Sequence, residues 1–315
     1  MRVFLAGATG AIGTPLVALL LADGHEVTAM TRSRERAQRL QALGAQPAVA
    51  DALDADAVAQ AVAEASPQAV IHQLTAIPAR LDPRKIKRDF ALTDRLRTEG
   101  TRHLIAAAQS AGASRIIAQS IAFAYAPGPA GAAHVESDAL IADPPDQFKR
   151  SAQAIAELER HVLDADGIVL RYGYFYGPGT SISREGSLGH DVARRRLPIV
   201  GGGTGVWSFI HVEDAARATV AALTRGASGA YNVVDDDPAS VADWIPELAD
   251  ALSAKPPRRV PSWLARPLAG EYGVLTMTRA QGASNARSKA ELGWSPRYAS
   301  WREGFRDGLD GQAAR

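Results

Sequence analysis

Apolar residues in this chain come in short runs separated by stretches of helical spacing. Arg2-Val3-Phe4-Leu5-Ala6 opens the chain as a buried strand, and Thr14 to Asp23 follows as a helix with Leu16, Leu19 and Leu20 on one face. Gly24 stops that helix, and His25 to Met30 is a second strand. The alternation continues with a helix Ala37–Leu43, a strand Gln46–Ala50, a helix Ala55–Glu64 and a strand Ala69–Leu74. A long helical region from about Ile86 to Ala111 precedes a strand Ser114–Ser120, and a helix Ser151–Ala165 precedes a strand Gly167–Arg171. Strands alternating with helices predict an α/β fold with a doubly wound parallel sheet.

The pattern then changes. Tyr172 to Gly179 is a turn-rich aromatic loop, and Thr180 to Gly189 is polar and glycine-rich, the composition of a mobile lid. Phe209 to Asp214 reads as a return strand before a helix Ala215–Leu223, and Tyr231–Val234 as another strand. Asp237-Pro238 is expected to start a helix, Lys255-Pro256-Pro257 marks a break, and further helices begin near Trp263 and Ser288. The expected division is a dinucleotide-binding part over 1–175, rejoined by 208–235, with a smaller substrate lobe from 176–207 and 236–315.

The first strand–turn–helix carries Gly7-x-x-Gly10-x-x-Gly13. Glycines here permit a tight turn, close approach of backbone to a pyrophosphate and close packing of helix on strand, while the helix N-terminus offers N–H groups to phosphate. Thr9, Ala11 and Ile12 lie in the same loop and are expected to touch the cofactor. The second strand ends in Thr31-Arg32-Ser33, without the carboxylate that would hold a ribose 2′-hydroxyl. An arginine there can grip a 2′-phosphate, which predicts NADPH, with NADH possible; the alternative is a solvated basic start to the next helix. Asp51, or the backbone of Ala52 and Leu53, can meet the adenine, or Asp51 or Asp54 caps the following helix. Gln73, Leu74 and Thr75 at the fourth strand's end, Gln119 and Ser120 at the fifth, and Tyr172, Gly173, Tyr174 and Phe175 after the sixth complete the expected cofactor contacts. His72 reads as a packed strand histidine.

Composition narrows the alternatives. The 315 residues are 46% hydrophobic and 22% charged with net charge +1, which fits a globular protein and gives no nucleic-acid or membrane-surface footprint. Without cysteine there is no disulfide, thiolate metal site or thiol nucleophile, and the scattered histidines give no metal-ligand spacing. No apolar run is long enough to span a bilayer, and the chain enters its first strand directly, so a cytoplasmic protein is expected.

Several motifs resemble those of an extended short-chain dehydrogenase/reductase. They are the glycine triplet, Gly100-Thr101-Arg102-His103-Leu104, Leu170-Arg171-Tyr172, Tyr176-Gly177-Pro178-Gly179, Phe209 to Asp214, and Glu291-Leu292-Gly293-Trp294-Ser295-Pro296. The resemblance implies nicotinamide cofactor binding, and in that family a Ser/Thr with Tyr-x-x-x-Lys carries proton transfer. This sequence departs from that pattern. The serine position, four before Tyr125, is Ile121, with Ser120 adjacent; the tyrosine and lysine positions fall at about Ser151 and Ile155, or Lys149 and Gln153 in a shifted register. The resemblance is to an atypical, triad-free branch. It implies NADPH-dependent reduction of a ketone on an angucyclinone-like aromatic polyketide in antibiotic biosynthesis, with a proton supplied by the substrate or water. Ser120 and Tyr172 are the protein hydroxyls expected nearest the reaction. Tyr174, Phe175, Tyr176 and Trp207 either stack on a flat substrate or pack between lobes, while Trp294 and Trp301 are expected in the core. A non-catalytic NADPH sensor and an epimerase or dehydratase are the competing readings. The chain is expected as a monomer or a homodimer; the helices used for pairing in relatives carry Arg97, Arg102 and Arg160 here.

Overall fold

Alternate side chains of the opening strand go to opposite faces, and two separate cores result. The computed structural model describes residues 1–82, 85–128 and 131–310. In β1 (Arg2–Ala6), Val3 and Leu5 enter one apolar cluster while Phe4 and Ala6 enter another. Helix α1 (Gly13–Ala22) packs Leu16, Val17 and Leu20 onto the first face. Strand β2 (Glu26–Thr31), helix α2 (Arg34–Ala42), β3 (Gln46–Val49), α3 (Ala55–Ala65) and β4 (Ala69–His72) follow within a residue or two of expectation, apart from the earlier start of α2 and end of β4.

The long helical region is α4 (Ile86–Arg95) and α5 (Thr101–Ser110), joined without a break by a π turn over Leu96–Gly100. Strand β5 (Arg115–Ile121), helix α6 (Lys149–Asp164) and β6 (Ile168–Tyr172) complete the alternation. Every residue of β4 and β6 is buried, as in strands covered on both faces, with His72 and Arg171 the polar members. Beyond β6 come β7 (Tyr174–Tyr176), α7 (Ser187–Ala193), β8 (Ile199–Val200), β9 (Val206–Trp207), β10 (Phe209–His211), α8 (Val212–Ala221) and β11 (Gly229–Val233). The main sheet is parallel with seven strands in the order β11-β6-β5-β4-β1-β2-β3. The order reverses between β1 and β4, where ligands bind in open sheets of this kind.

Three expectations are corrected. The return strand is only Phe209–His211; it pairs with β7 in a small sheet and does not enter the main one. Val212–Asp214 already belong to α8, because the His211 ring accepts from the Glu213 N–H and caps the helix. The helix expected at Asp237-Pro238 is α9 (Val241–Ala251), which starts where Ser240 caps it after the short strand β12 (Ala239–Ser240). Within the glycine-rich segment 180–189, Ile182 bridges Tyr176 and Ile182 and Ser183 are buried, while Ser181, Arg184 and Glu185 are exposed.

The remaining elements are β13 (Arg259–Val260), α10 (Ser262–Thr278), α11 (Ala286–Leu292) and α12 (Trp301–Asp307), the last not anticipated from the pattern. A third apolar cluster joins Tyr176, Trp207 and Phe209 to Trp244, Trp301 and Phe305. Trp294 and Trp301 are buried, as expected. No helix among the described residues is long and apolar enough to cross a membrane.

Candidate functional site

The glycine loop is shaped by what cannot fit in it. Gly7 has φ +98°, and a Cβ there would lie 2.5 Å from the Gln73 carbonyl oxygen. A Cβ on Gly13 would lie 2.1 Å from the Gly7 oxygen. A Cβ on Gly10 would meet only that oxygen, at 3.5 Å, so the space above Gly10 is open to a ligand. No side chain caps α1; the Thr14 N–H goes to the Gly10 carbonyl and Pro15 carries none, so a phosphate here would meet the N–H groups of the loop leading up to Gly13. Gly179, in the Tyr-Gly-Pro-Gly loop, comes alongside Ala11. An uncapped helix behind an open glycine cradle fits a dinucleotide pyrophosphate.

The ribose end is basic. Arg32 is exposed and its Nη1 lies 3.9 Å from Asp51 Oδ2. Arg36, which the sequence reading did not single out, reaches back so that its Nη1 donates to Thr9 Oγ1 at 3.4 Å. Thr31 Oγ1 accepts from the Ser33 N–H, and Ser33 Oγ caps α2. Asp54 is the cap of α3, whereas Asp51 accepts from the Leu53 N–H in a tight turn, which leaves its second oxygen toward Arg32.

His72 is buried and neutral: burial drives it down to about 4. Its Nδ1 accepts from the Leu74 N–H, so Nε2 carries the hydrogen and faces Thr101 Oγ1 at 3.1 Å. It fixes the end of β4, as a packed strand histidine does.

Both candidate catalysts are buried and hydrogen-bonded to neighbouring side chains. Tyr172 is fully buried. Thr219 Oγ1 donates to the Ala215 carbonyl, so it accepts from the Tyr172 hydroxyl, which in turn accepts from Gln73 Nε2. Burial pushes that phenol up to about 12. Ser120 is 1% exposed and donates to Glu159 Oε1 at 2.6 Å. The same carboxylate takes a two-pronged contact from Arg171, which also donates to the Tyr125 hydroxyl. Neither hydroxyl is open to a substrate.

The aromatic residues divide. Tyr176 is fully buried. Tyr174 lies between Phe123 and Trp207, with ring centroids 4.1 and 3.8 Å away, so it packs between the lobes. A small cleft beside these rings is lined by Phe123, Tyr125, Ile141, Phe148 and Tyr272, and by the polar side chains of His134, Thr276, Arg279 and Gln281. Tyr272 stacks on Phe148 at 4.2 Å. It stands in α10 just past Gly270, a non-helical residue that kinks the helix, and Gln147 Oε1 accepts its N–H.

At the positions that the resemblance gives to tyrosine and lysine, Ser151 is buried with its hydroxyl on Asp94 Oδ2 at 3.1 Å, and Ile155 is 1% exposed in an apolar cluster. Beneath them Arg97, 5% exposed, stands on the π turn with Nη1 3.7 Å from Asp94 Oδ1. Sequence reasoning saw Arg97 only as a charge on a pairing helix. It missed Asp94 and Tyr272 altogether, since no local pattern marks residues that far apart.

An open glycine cradle at the switch point of the sheet, with basic side chains just past the second strand, defines a dinucleotide-binding α/β protein. A profile of the NAD dependent epimerase/dehydratase family matches residues 3–234, and the chain belongs to that family. It is 48% identical, over 97% of this chain and 99% of the relative, to a 3-diazoavenalumate denitrifying reductase of a Streptomyces species. It is also 27% identical, over 81% of this chain and 74% of the relative, to 4-hydroxy-2-methyl-3-oxo-4-farnesyl-3,4-dihydroquinoline-1-oxide ketoreductase of Stigmatella aurantiaca. The UDP-glucose 4-epimerase of Thermotoga maritima superposes with TM-score 0.77 at 19% identity, over 98% of this chain and 97% of that one, and shares the fold. The Thermus thermophilus UDP-glucose 4-epimerase gives 0.76 at 23%, over 98% of both. The chain is an oxidoreductase of the reductase kind.

Proposed function

We propose that this protein is an NADPH-dependent reductase of a planar aromatic substrate, and that the group it reduces is an aryl diazo group. The observation that carries the reading is that no proton donor stands free at the positions where the family resemblance would put one. Ser151 is held by Asp94, Ile155 is packed away, and Ser120 and Tyr172 are both committed. Reducing a carbonyl puts negative charge on oxygen, and a positioned acid is worth about 10²–10⁴ in rate there. Reducing an aryl diazonium puts none on oxygen. Hydride adds to the terminal nitrogen and gives Ar–N=N–H; the C–N bond then breaks, dinitrogen leaves and the hydrogen ends on the ring carbon. No proton is consumed. A bound nicotinamide supplies the hydride, and the chain's share is to hold the two partners in line, which can be worth on the order of 7–11 kcal/mol. The 48% identical relative is named for a denitrifying reduction, which supports this reading.

Arg32, just past β2, and Arg36, in the first turn of α2, support NADPH. The exposed Arg32–Asp51 contact is worth about 0–1 kcal/mol, so a phosphate can replace it. The second reading is the ketoreductase, in which a hydroxyl of an angucyclinone-like ketone supplies the proton; the Stigmatella relative supports it. The test is NADPH oxidation with aryl diazo acids and polycyclic ketones in parallel, with product masses. Loss of dinitrogen with gain of one hydrogen supports the first reading. A product two hydrogens heavier from the ketones alone refutes it in favour of the second.

A further inference from the structure

His134 has one committed ring nitrogen and one open one. Its Nδ1 lies 2.9 Å from Asp138 Oδ2, which also accepts from the Val135 N–H, and these contacts hold the Asp138 carboxyl below its usual range. A carboxylate only accepts, so Nδ1 carries the hydrogen and Nε2 of the neutral ring is a bare base. Nε2 meets no partner among the described residues. The ring lines both the small cleft, whose 30 Å³ is room for about one water, and a second cavity of about 250 Å³ that Pro127, Ala133, Asp138 and Gln281 also line. Since roughly 150 Å³ is enough for benzene, the second cavity admits an aromatic ring. The imidazole is fixed in place. It stacks on Tyr125 with centroids 4.6 Å apart, its N–H donates to the Gly282 carbonyl, and its carbonyl accepts from the Ser284 N–H. Phe123 and Tyr125, in the cleft wall, stand just past the carboxyl end of β5, and Phe123 stacks on Tyr174 just past β6. Ligands of open parallel sheets bind outside such strand ends. The other charged groups around the ring are Arg279 in the cleft wall and, beyond Tyr125, Arg171 with Glu136 and Glu159.

We propose that His134 is the catalytic residue that moves the proton in dinitrogen loss, with Asp138 as its positioning residue. This rests on the aryl diazo reading. Once hydride has been added, the intermediate is Ar–N=N–H. Nε2 takes the N–H proton, and the pair left on nitrogen closes the N≡N bond. The C–N bond breaks with its electrons on the ring carbon, and the imidazolium returns a proton to that carbon. One proton leaves nitrogen and one reaches carbon, so none is consumed. An imidazole with one nitrogen on a carboxylate and the other open to a cavity is built to serve as base and then acid.

The test is single-turnover reduction of 3-diazonio-4-hydroxybenzoate by the NADPH-loaded protein across pH, with the 4-hydroxybenzoate product measured by mass. The wild-type rate is expected to fall toward acid, because the base must be neutral. His134→Gln should lower the rate by about 10²–10⁴-fold and abolish that fall, with NADPH affinity and the urea midpoint unchanged. Asp138→Asn should lower the rate by about tenfold and keep the fall, and Asp138→Glu should regain part of the loss. In a second readout, 4-hydroxybenzoate should shift the His134 Cε1–H resonance in the proton NMR spectrum of the NADPH-loaded wild type. If His134→Gln does not fold, the Asp138 pair and this resonance carry the test. A His134→Gln rate within about threefold of wild type overturns the proposal alone, since a positioned base is worth far more. So does a rate loss that leaves the pH profile unchanged, or an unmoved resonance with bound 4-hydroxybenzoate. No dinitrogen loss from the diazo acid with the wild type refutes the aryl diazo reading itself.

Discussion

Arg171→Met should be among the most destabilising single changes in this protein. Arg171 and Glu159 face each other through two contacts of 2.9 and 2.6 Å, with side chains 7% and 5% exposed. The pair ties β6 to α6. Ser120 donates to the carboxylate from β5, and the Tyr125 hydroxyl takes an N–H from Arg171 while donating to Asn232 on β11. Removing the guanidinium leaves a buried carboxylate with Ser120 as its remaining partner among those contacts, and Tyr125 loses a donor. Breaking one side of a buried pair costs about 3–5 kcal/mol, whereas replacing both sides by apolar groups of similar size is often neutral. Equilibrium unfolding in urea should therefore show Arg171→Met less stable by about 3–5 kcal/mol, and the double variant Glu159→Leu/Arg171→Met less damaged than Arg171→Met alone. A single-variant loss below about 1 kcal/mol, or a double loss equal to the sum of the singles, would refute the claim that the two charges are held by each other.

Ser120→Ala and Tyr172→Phe should each lower stability by about 1 kcal/mol and change turnover less than about threefold; a thousandfold loss in kcat from either would restore it to a catalytic role. The double variant Arg32→Ala/Arg36→Ala should reduce the preference for NADPH over NADH by about tenfold or more, read as the ratio of kcat/KM values, because two charge-assisted contacts to a 2′-phosphate are lost while the diphosphate cradle is untouched. His72 gives a pH signature. Its folded value, about 4, lies below the ordinary 6.5, so the unfolded chain takes up a proton first as pH falls. Its effect is absent above about pH 6.5, destabilises progressively toward pH 4, and is flat below, to a total of up to about 3 kcal/mol. Urea midpoints for wild type and His72→Gln should converge across that window, and parallel profiles would show that the ring is protonated in the folded state.

Periodicity revealed the sheet because a parallel strand covered on both faces must be an unbroken apolar run, and Val70-Ile71 or Val169-Leu170 can be read as nothing else. The glycine cradle was legible for a similar reason: its constraints are steric and local. The misread boundaries lie where a short side-chain contact outweighs the apolar pattern. Val212 continues the run Phe209-Ile210, but the His211 cap turns the chain into a helix there. Asp237-Pro238 carries helix-start residues, yet Ser240 is the one whose hydroxyl meets a free N–H. The buried polar contacts of α6 and the make-up of the cleft were invisible because they are long-range. Ser151 meets Asp94 across 57 positions, and Tyr272 comes from a different lobe. Tyr172 and Ser120 were drawn into catalysis by their place at strand ends, where only the structure shows Thr219 and Glu159 already holding them.

Helix α6 shows why the reaction cannot simply be that of relatives bearing a tyrosine and a lysine there. In this chain its inward side is a set of tethers. Ser151 holds Asp94, Ile155 fills the cluster with Ile121, Ala124 and Phe148, and Glu159 holds Arg171. A lysine at 155 would place a charge among apolar side chains, and a tyrosine at 151 would displace the hydroxyl that fixes Asp94 and, through it, Arg97. The buried positive charge next to these tethers is Arg97 on the π turn, 3.7 Å from Asp94 Oδ1. It cannot give up a proton at neutral pH, since even burial brings it down only to about 10. The chemistry best matched to a helix built in this way takes its electrons from the cofactor and draws no proton from the positions where relatives carry their acid.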